Sequence, residues 1–385
     1  GLRMALRYLV FTELFLPTKG GTAVWFAEVY RRLGGKEIHI VTADVPGAVA
    51  VDVTHPNTVH RVKLRRHWWL KPESIAMYVK LFVTGLRLAL RHDFDVVHAG
   101  RALPEGLVGW AVARLVRLPL VIYAHGEELT TWGRGGKYKV MRFALRHADR
   151  VIANSEFTRD ELVKMDVRPE CITLIYPGVD VERFRPGLPC DDLKAGIGLQ
   201  PGEKLILSVG RLSRRKGFDM VVRSLPELLR QGINVRYALI GIGEDRDYLI
   251  SLARELGVAN QVHLLGHVSP EDLPRWYNAC DVFAMPNREI NGDTEGFGMV
   301  FIEAAACSRP VLAGNAGGTG AAVVNGETGL RVNGECLAAI VDAFVRLLGG
   351  VGYSMGKNGY HRALESFAWE QVADKTRGLR VPAVR

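Results

Sequence analysis

What the chain lacks narrows it first. It has no uninterrupted apolar run of the roughly eighteen residues that a membrane-crossing helix needs. The apolar stretch near the N-terminus, L-R-Y-L-V-F-T-E-L-F-L-P, is broken by Glu13 and is too short for a secretory leader. Cysteines are few and odd in number: Cys171, Cys190, Cys280, Cys307 and Cys336, with no C-x-x-C pair. That argues against a disulfide framework or a zinc site and for a reducing compartment. No low-complexity tract occurs, and no G-x-G-x-x-G, so a dinucleotide fingerprint is missing too. What remains is an ordinary globular composition, 48% hydrophobic, in a chain whose 385 residues exceed one core and predict two domains. The formal charge of +9 points to an anionic partner, either phosphates or a lipid surface.

One stretch carries the densest chemistry. Residues 285–318 read M-P-N-R-E-I-N-G-D-T-E-G-F-G-M-V-F-I-E-A-A-A-C-S-R-P-V-L-A-G-N-A-G-G. The order is a short apolar strand, a polar loop, an apolar helix entered near Gly298, and a second strand through Pro310, Val311 and Leu312. Such an order is one unit of a parallel α/β sheet. Ligands of these sheets gather at the carboxyl ends of strands, where helix N-termini present unpaired N–H groups. The amides of Gly298, Met299 and Val300 therefore suit a diphosphate, and Gly298 keeps the approach open because it has no Cβ. Glu295 precedes the helix and Glu303 lies inside it. A carboxylate at 303 can accept two hydrogen bonds from a vicinal diol such as a ribose, and one at 295 can bind sugar hydroxyls. The plainer alternative is two exposed acids favoured by the helix dipole alone.

Strands alternate with helices along the whole chain. Apolar runs at 7–12, 38–42, 119–124, 150–153 and 172–175 predict strands in the first half, and those at 204–209, 235–240 and 262–265 in the second. Gly20 and Gly21 open a helix after the first strand, a weak phosphate-loop signal by itself. His125 stands at the carboxyl end of the 119–124 strand, in H-G-E. Arg211 and Lys216 flank a turn in G-R-L-S-R-R-K-G-F, where a planar fork and a point charge together can neutralise a diphosphate. Two D-x-D spellings, Asp93 with Asp95 and Asp245 with Asp247, fall at a strand's front end and in a helix's first turn. Both are read as structural, so no metal is implied. The most basic segment, H-R-V-K-L-R-R-H-W-W-L-K-P, carries Arg65, Arg66, Trp68 and Trp69 ahead of an amphipathic helix over 72–91. Tryptophan beside arginine suits an anionic membrane interface; the alternative is a solvated basic loop. Nucleic acid is not expected, because no nucleic-acid fold motif accompanies these residues.

The runs E-G-F-G-M-V-F-I-E-A-A-A, P-V-L-A-G-N-A-G-G, N-G-E-T-G-L and G-R-L-S-R-R-K-G together resemble the donor-site signature of retaining glycosyltransferases of the GT-B fold, family 4. That resemblance implies two Rossmann-like α/β domains facing across a cleft. An acceptor-binding domain would span 1–178, a linker 179–200 and a nucleotide-sugar domain 201–365, with a helix in 366–385 crossing back to the first domain. It assigns Glu295 to the donor sugar and Glu303 to the ribose. The diphosphate falls to Arg211, Lys216, Gly20, Gly21 and the amides of Gly298, Met299 and Val300. His267 and Val268 border the nucleobase, and His125 hydrogen-bonds the sugar.

No cofactor or metal is expected, the nucleotide sugar being a co-substrate. No second acid at a strand end is evident, so a front-face retaining mechanism is favoured over double displacement. R-E-I-N-G-D-T-E-G-F-G-M-V-F and the basic amphipathic surface look most like the phosphatidylinositol mannosyltransferase branch. GDP-mannose, a lipid or glycan acceptor and a cytoplasmic location on the inner membrane face are then expected. The Y-A-H-G-E-E-L segment departs from that branch's ordering around its histidine. A UDP-hexose enzyme of polysaccharide assembly is the nearest alternative. A sugar-nucleotide epimerase or a non-catalytic nucleotide-sugar module are rivals of other classes.

Overall fold

The computed structural model describes residues 6–64, 74–131, 133 and 135–381; Arg65, Arg66, Trp68 and Trp69 lie outside them. The chain forms two units, Gly1–Pro177 with Trp369–Arg385, and Gly178–Ala368. Among the described residues, no single helix is long and apolar enough to cross a membrane.

The first unit is built on seven parallel strands: β1 (Tyr8–Phe11), β2 (His39–Ala43), β3 (Thr58–Val62), β4 (Val96–Ala99), β5 (Leu120–Ala124), β6 (Arg150–Ala153) and β7 (Ile172–Leu174). Their order in the sheet is β3-β2-β1-β4-β5-β6-β7. Sequences such as Y-L-V-F and L-V-I-Y-A are apolar at successive positions and buried throughout, because helices cover both faces of a parallel sheet. The edge strands β3 and β7 are only half-buried. β3 was not among the expected strands; its Thr, His and Arg residues read as part of the basic segment. Strand order reverses between β1 and β4, which opens a crevice at their carboxyl ends.

The returning helix Trp369–Arg377 belongs to this first unit and packs on the Gly21–Leu33 helix. It buries Trp369, Val372, Ala373 and Thr376. Arg32 Nε reaches Glu370 at 3.2 Å, and Arg377 donates to the Arg32 carbonyl at 2.8 Å.

The second unit repeats the plan with six parallel strands: β8 (Lys204–Val209), β9 (Val235–Ile240), β10 (Val262–Gly266), β11 (Val282–Met285), β12 (Val311–Gly314) and β13 (Gly329–Val332). Their order is β10-β9-β8-β11-β12-β13, so this sheet reverses between β8 and β11. Residues 179–200, expected as a linker, are part of this unit. Phe184 packs edge-on against Tyr277 at 5.6 Å, and Asp192 in the Asp191–Gly196 helix pairs with Arg275. Burying Phe184 and satisfying those charges ties the segment to its own domain.

Candidate active site

Functional side chains collect at the reversal point of each sheet, where neighbouring strands splay their following loops apart. In the second unit the loop after β11 and the turn after β8 meet. Arg214–Lys216 form one turn of 3₁₀-helix ended by Gly217, whose φ is +77°. A Cβ on Gly217 would lie 2.0 Å from the Pro286 carbonyl oxygen, so only glycine lets this turn reach the end of β11. Arg288 then grips the turn. Its amide donates to the Arg215 carbonyl at 2.9 Å, its Nε to the Arg214 carbonyl at 3.0 Å, and its Nη2 to Asp219 at 2.7 Å.

That grip delivers Lys216 to Glu295. Lys216 Nζ is 2.9 Å from Glu295 Oε2, and Arg215 Nη1 is 2.7 Å from the same oxygen. Burial opposes ionisation of Glu295 most strongly, but the Lys216 and Arg215 charges outweigh it and hold the carboxyl down at about 2. Arg211 stands apart. Its side chain is 74% exposed and pairs with Glu244 at 3.2 Å. The structure thus brings together Lys216 and Glu295 from the expected set, adds Arg215, and leaves Arg211 outside the cluster.

Gly298, at φ +93°, caps the Met299–Ala306 helix, so the Met299 and Val300 amides fall in a first turn with no intrahelical acceptor. Glu303 is partly buried further along this helix. Burial raises its pKa to about 7, against the pull of the Arg183 charge and the Tyr277 hydroxyl beside it. His267 and Val268 follow β10 directly, His267 exposed and Val268 half-exposed. Asp245 of one D-x-D pairs with Arg214 at 3.0 Å, and Asp95 of the other accepts the Arg7 amide at 2.7 Å.

In the first unit a second cluster forms at the ends of β1, β4 and β5. His125 follows β5, and its Nε2 lies 2.7 Å from the Gly100 carbonyl just past β4. The ring of Trp25 stands edge-on to it at 6.2 Å. Arg101 pairs with Glu13 after β1 and with Glu105 at 2.8 Å; Glu105 also accepts the Glu13 amide at 3.0 Å. Glu128 is buried one helical turn beyond His125, and burial pushes its carboxyl up to about 8. Glu13 and Glu105 are brought to Arg101 from separate loops, while Glu128 reaches the His125 amide from within its own segment. Gly20 caps the Gly21–Leu33 helix at φ +130°, with Gly21 its first residue.

The chain as a whole has known relatives. Residues 191–351 match the family described as "Glycosyl transferases group 1", and residues 19–183 match "Glycosyltransferase Family 4". The GDP-mannose-dependent alpha-(1-6)-phosphatidylinositol monomannoside mannosyltransferase of Mycolicibacterium smegmatis is 33% identical over 97% of this chain and 96% of its own. The D-inositol 3-phosphate glycosyltransferase of Rhodococcus erythropolis is 32% identical over 88% of this chain and 81% of its own. Among solved structures, Anabaena HepE in complex with UDP and glucose superposes with a TM-score of 0.79 at 21% identity, covering 96% of this chain and 98% of that one. The chain has the GT-B fold and belongs to the family 4 glycosyltransferases; it is a glycosyl-transferring enzyme.

Proposed function

We propose that this glycosyltransferase moves mannose from GDP-mannose to a hydroxyl of a lipid-linked or glycan acceptor, with retention and without a metal. The observation that carries the reading is the Lys216–Glu295 contact beside the Met299–Ala306 helix start. It supports a reading in which the cation and first-turn amides meet a leaving diphosphate and the carboxylate meets sugar hydroxyls. Glu303, ionised by the binding of a diol, anchors the ribose. The choice of GDP-mannose is supported by the mannosyltransferase relative, which aligns with nearly the whole chain.

Retention through a front-face path is supported by the state of the carboxyls around His125. Glu13 and Glu105 are tied to Arg101, and Glu128 keeps its proton at neutral pH, so none is a ready nucleophile. The leaving phosphate then serves as base towards the acceptor hydroxyl. In the first unit, His125 offers its Nδ1 as an acceptor and Arg101 offers N–H donors to sugar hydroxyls. Attachment to the inner membrane face is supported by the Ser74–Arg91 helix, on which Ile75, Val79, Val83 and Leu90 are exposed.

Thermal stabilisation by GDP, UDP and ADP, with chelator present, tests the donor. A GDP-selective shift that survives chelator supports the reading, and a UDP-selective shift replaces it with a UDP-hexose enzyme. Absence of any shift overturns the site. Transfer of labelled mannose to phosphatidylinositol mannoside in vesicles, with the product's anomeric configuration read by NMR, tests acceptor and stereochemistry. An inverted product, or a covalent glycosyl-enzyme, ends the front-face proposal.

A further inference from the structure

Arg215 falls on an unspecified position of the G-R-L-x-x-x-K-G motif, yet it lies closer to the Glu295 carboxylate than Lys216 does. Its side chain is 13% exposed, and its two ends are fixed by different groups. The backbone carbonyl is held by the Arg288 amide. The guanidinium spans two carboxylates of one loop, with Nε 3.2 Å from Asp293 and Nη1 2.7 Å from Glu295. The main chain of that loop is pinned as well, since the Gly318 amide donates to the Glu295 carbonyl at 2.7 Å.

Among the described ion pairs, Arg215 and Lys216 face Asp293 and Glu295. Arg215 is matched on both sides, whereas Lys216 has the single partner Glu295 among the described ion pairs. A planar fork locked between two carboxylates is oriented far more narrowly than an ammonium. Both cations bind Oε2 of Glu295, which leaves Oε1 to accept from ligand hydroxyls.

We infer that Arg215 is a positioning residue for Glu295. It fixes the carboxylate through Oε2 and so governs recognition of the donor's sugar, while the nucleoside diphosphate is bound by other groups. Lys216 and the helix start serve the diphosphate, and Arg215 serves the hexose. This rests on the reading that Glu295 meets the donor sugar.

The test compares a nucleoside diphosphate with its sugar conjugate, using GDP and GDP-mannose on the full chain. Arg215→Ala should leave GDP affinity within about twofold. It should lower kcat/KM for GDP-mannose by roughly 10- to 100-fold, the worth of a charged hydrogen bond, and blunt discrimination between hexose epimers. Arg215→Lys keeps the charge without the fork and should recover only part of the loss. In a Glu295→Ala background, Arg215→Ala should cost little more, because the residue acts through Glu295. Equal loss of GDP and GDP-mannose binding in Arg215→Ala would overturn the inference, as would additive losses in the double variant. If the unmodified enzyme bound none of GDP, UDP or ADP, the donor-site reading itself would fall, and this inference with it.

Discussion

Glu128 Oε1 accepts the main-chain N–H of His125 at 3.3 Å, while its other carboxyl oxygen is buried and makes no well-formed hydrogen bond among the described residues. A charged carboxylate in that position would be poorly compensated. Burial is the main cause of its raised pKa, and Glu105 adds to it; the His125 amide and the Arg101 charge pull the other way without prevailing.

The sign of the pH effect follows. Unfolded, this carboxyl ionises near 4.5; folded, it holds its proton to about 8. The folded state therefore binds more protons across that interval, and Glu128 costs stability that grows as pH rises from 4.5 to about 8. Glu128→Gln keeps the acceptor for the His125 amide and removes the cost. Its melting temperature should exceed that of the unmodified enzyme by more at pH 8 than at pH 5. Equal differences at both values would refute the assignment.

His125 is expected to work as a neutral imidazole. Burial lowers its pKa most, the Gly100 hydrogen bond opposes that, and the Arg101 charge lowers it further. The contact with a carbonyl places the hydrogen on Nε2 and leaves Nδ1 as the acceptor. His125→Ala should reduce kcat by roughly 100-fold or more, in the range for a positioned polar catalytic group. A loss confined to KM would instead assign it to substrate binding alone.

Arg211 and Glu244 form an exposed pair, which water and salt screen strongly. If Arg211 leaves it to meet the diphosphate, Glu244→Ala removes a competitor and should raise GDP affinity by up to a fewfold, most clearly at low salt. Arg211→Ala should lower it. Unchanged affinity in both variants would remove Arg211 from the donor site.

Gly298 combines φ +93° with a Cβ position 2.5 Å from the Phe301 ring. Phe301 is fully buried and stacks edge-on with Phe283 at 5.9 Å, so it has little room to yield. Gly298→Ala should cost about 1–2 kcal/mol for the backbone alone, more with the displaced ring. Calorimetry should show a melting point lowered by several degrees, together with weaker nucleotide stabilisation.

Three histidines meet at the edge of the first sheet. His39 Nδ1 is 2.8 Å from His60 Nε2, and the His39 and His92 rings lie 4.4 Å apart. Burial, then repulsion from His60 and His92, lowers the His39 pKa from 6.5 to about 4. Its neutral form supports the fold fully above 6.5, and that support drains away as pH falls towards 4. His39→Gln should flatten the loss of melting temperature between pH 6.5 and 4; a parallel curve would show that other groups dominate acid unfolding.

The central strands were legible from composition because burial on both faces demands continuous apolar runs, as in L-V-I-Y-A of β5 and V-F-A-M of β11. β3 was not, since a half-buried edge tolerates His60 and Arg61. The Gly350–Arg362 helix begins with G-V-G-Y-S-M-G, a sequence that gives no helix signal of its own. Its glycines are poor helix formers, and packing on the Met299–Ala306 helix overrides that preference. In the site, Glu295 and Lys216 could be read from the motif, but Arg215 could not. Successive residues of a 3₁₀ turn point about 120° apart, so R-R-K does not disclose which cation meets the loop. Glu13 and Glu105 converge only through sheet order, which no local pattern records.

The return of Trp369–Arg377 to the Gly21–Leu33 helix makes the first unit discontinuous along the chain. A ribosome delivers the second unit's sequence whole before it delivers the segment that finishes the first. During synthesis the second unit is therefore free to complete its fold first, whereas the helix face under Trp369 stays bare until residues 369–377 have been made. A nascent chain stalled before that residue would leave this face of the Gly21–Leu33 helix uncovered and open to chaperones and proteases.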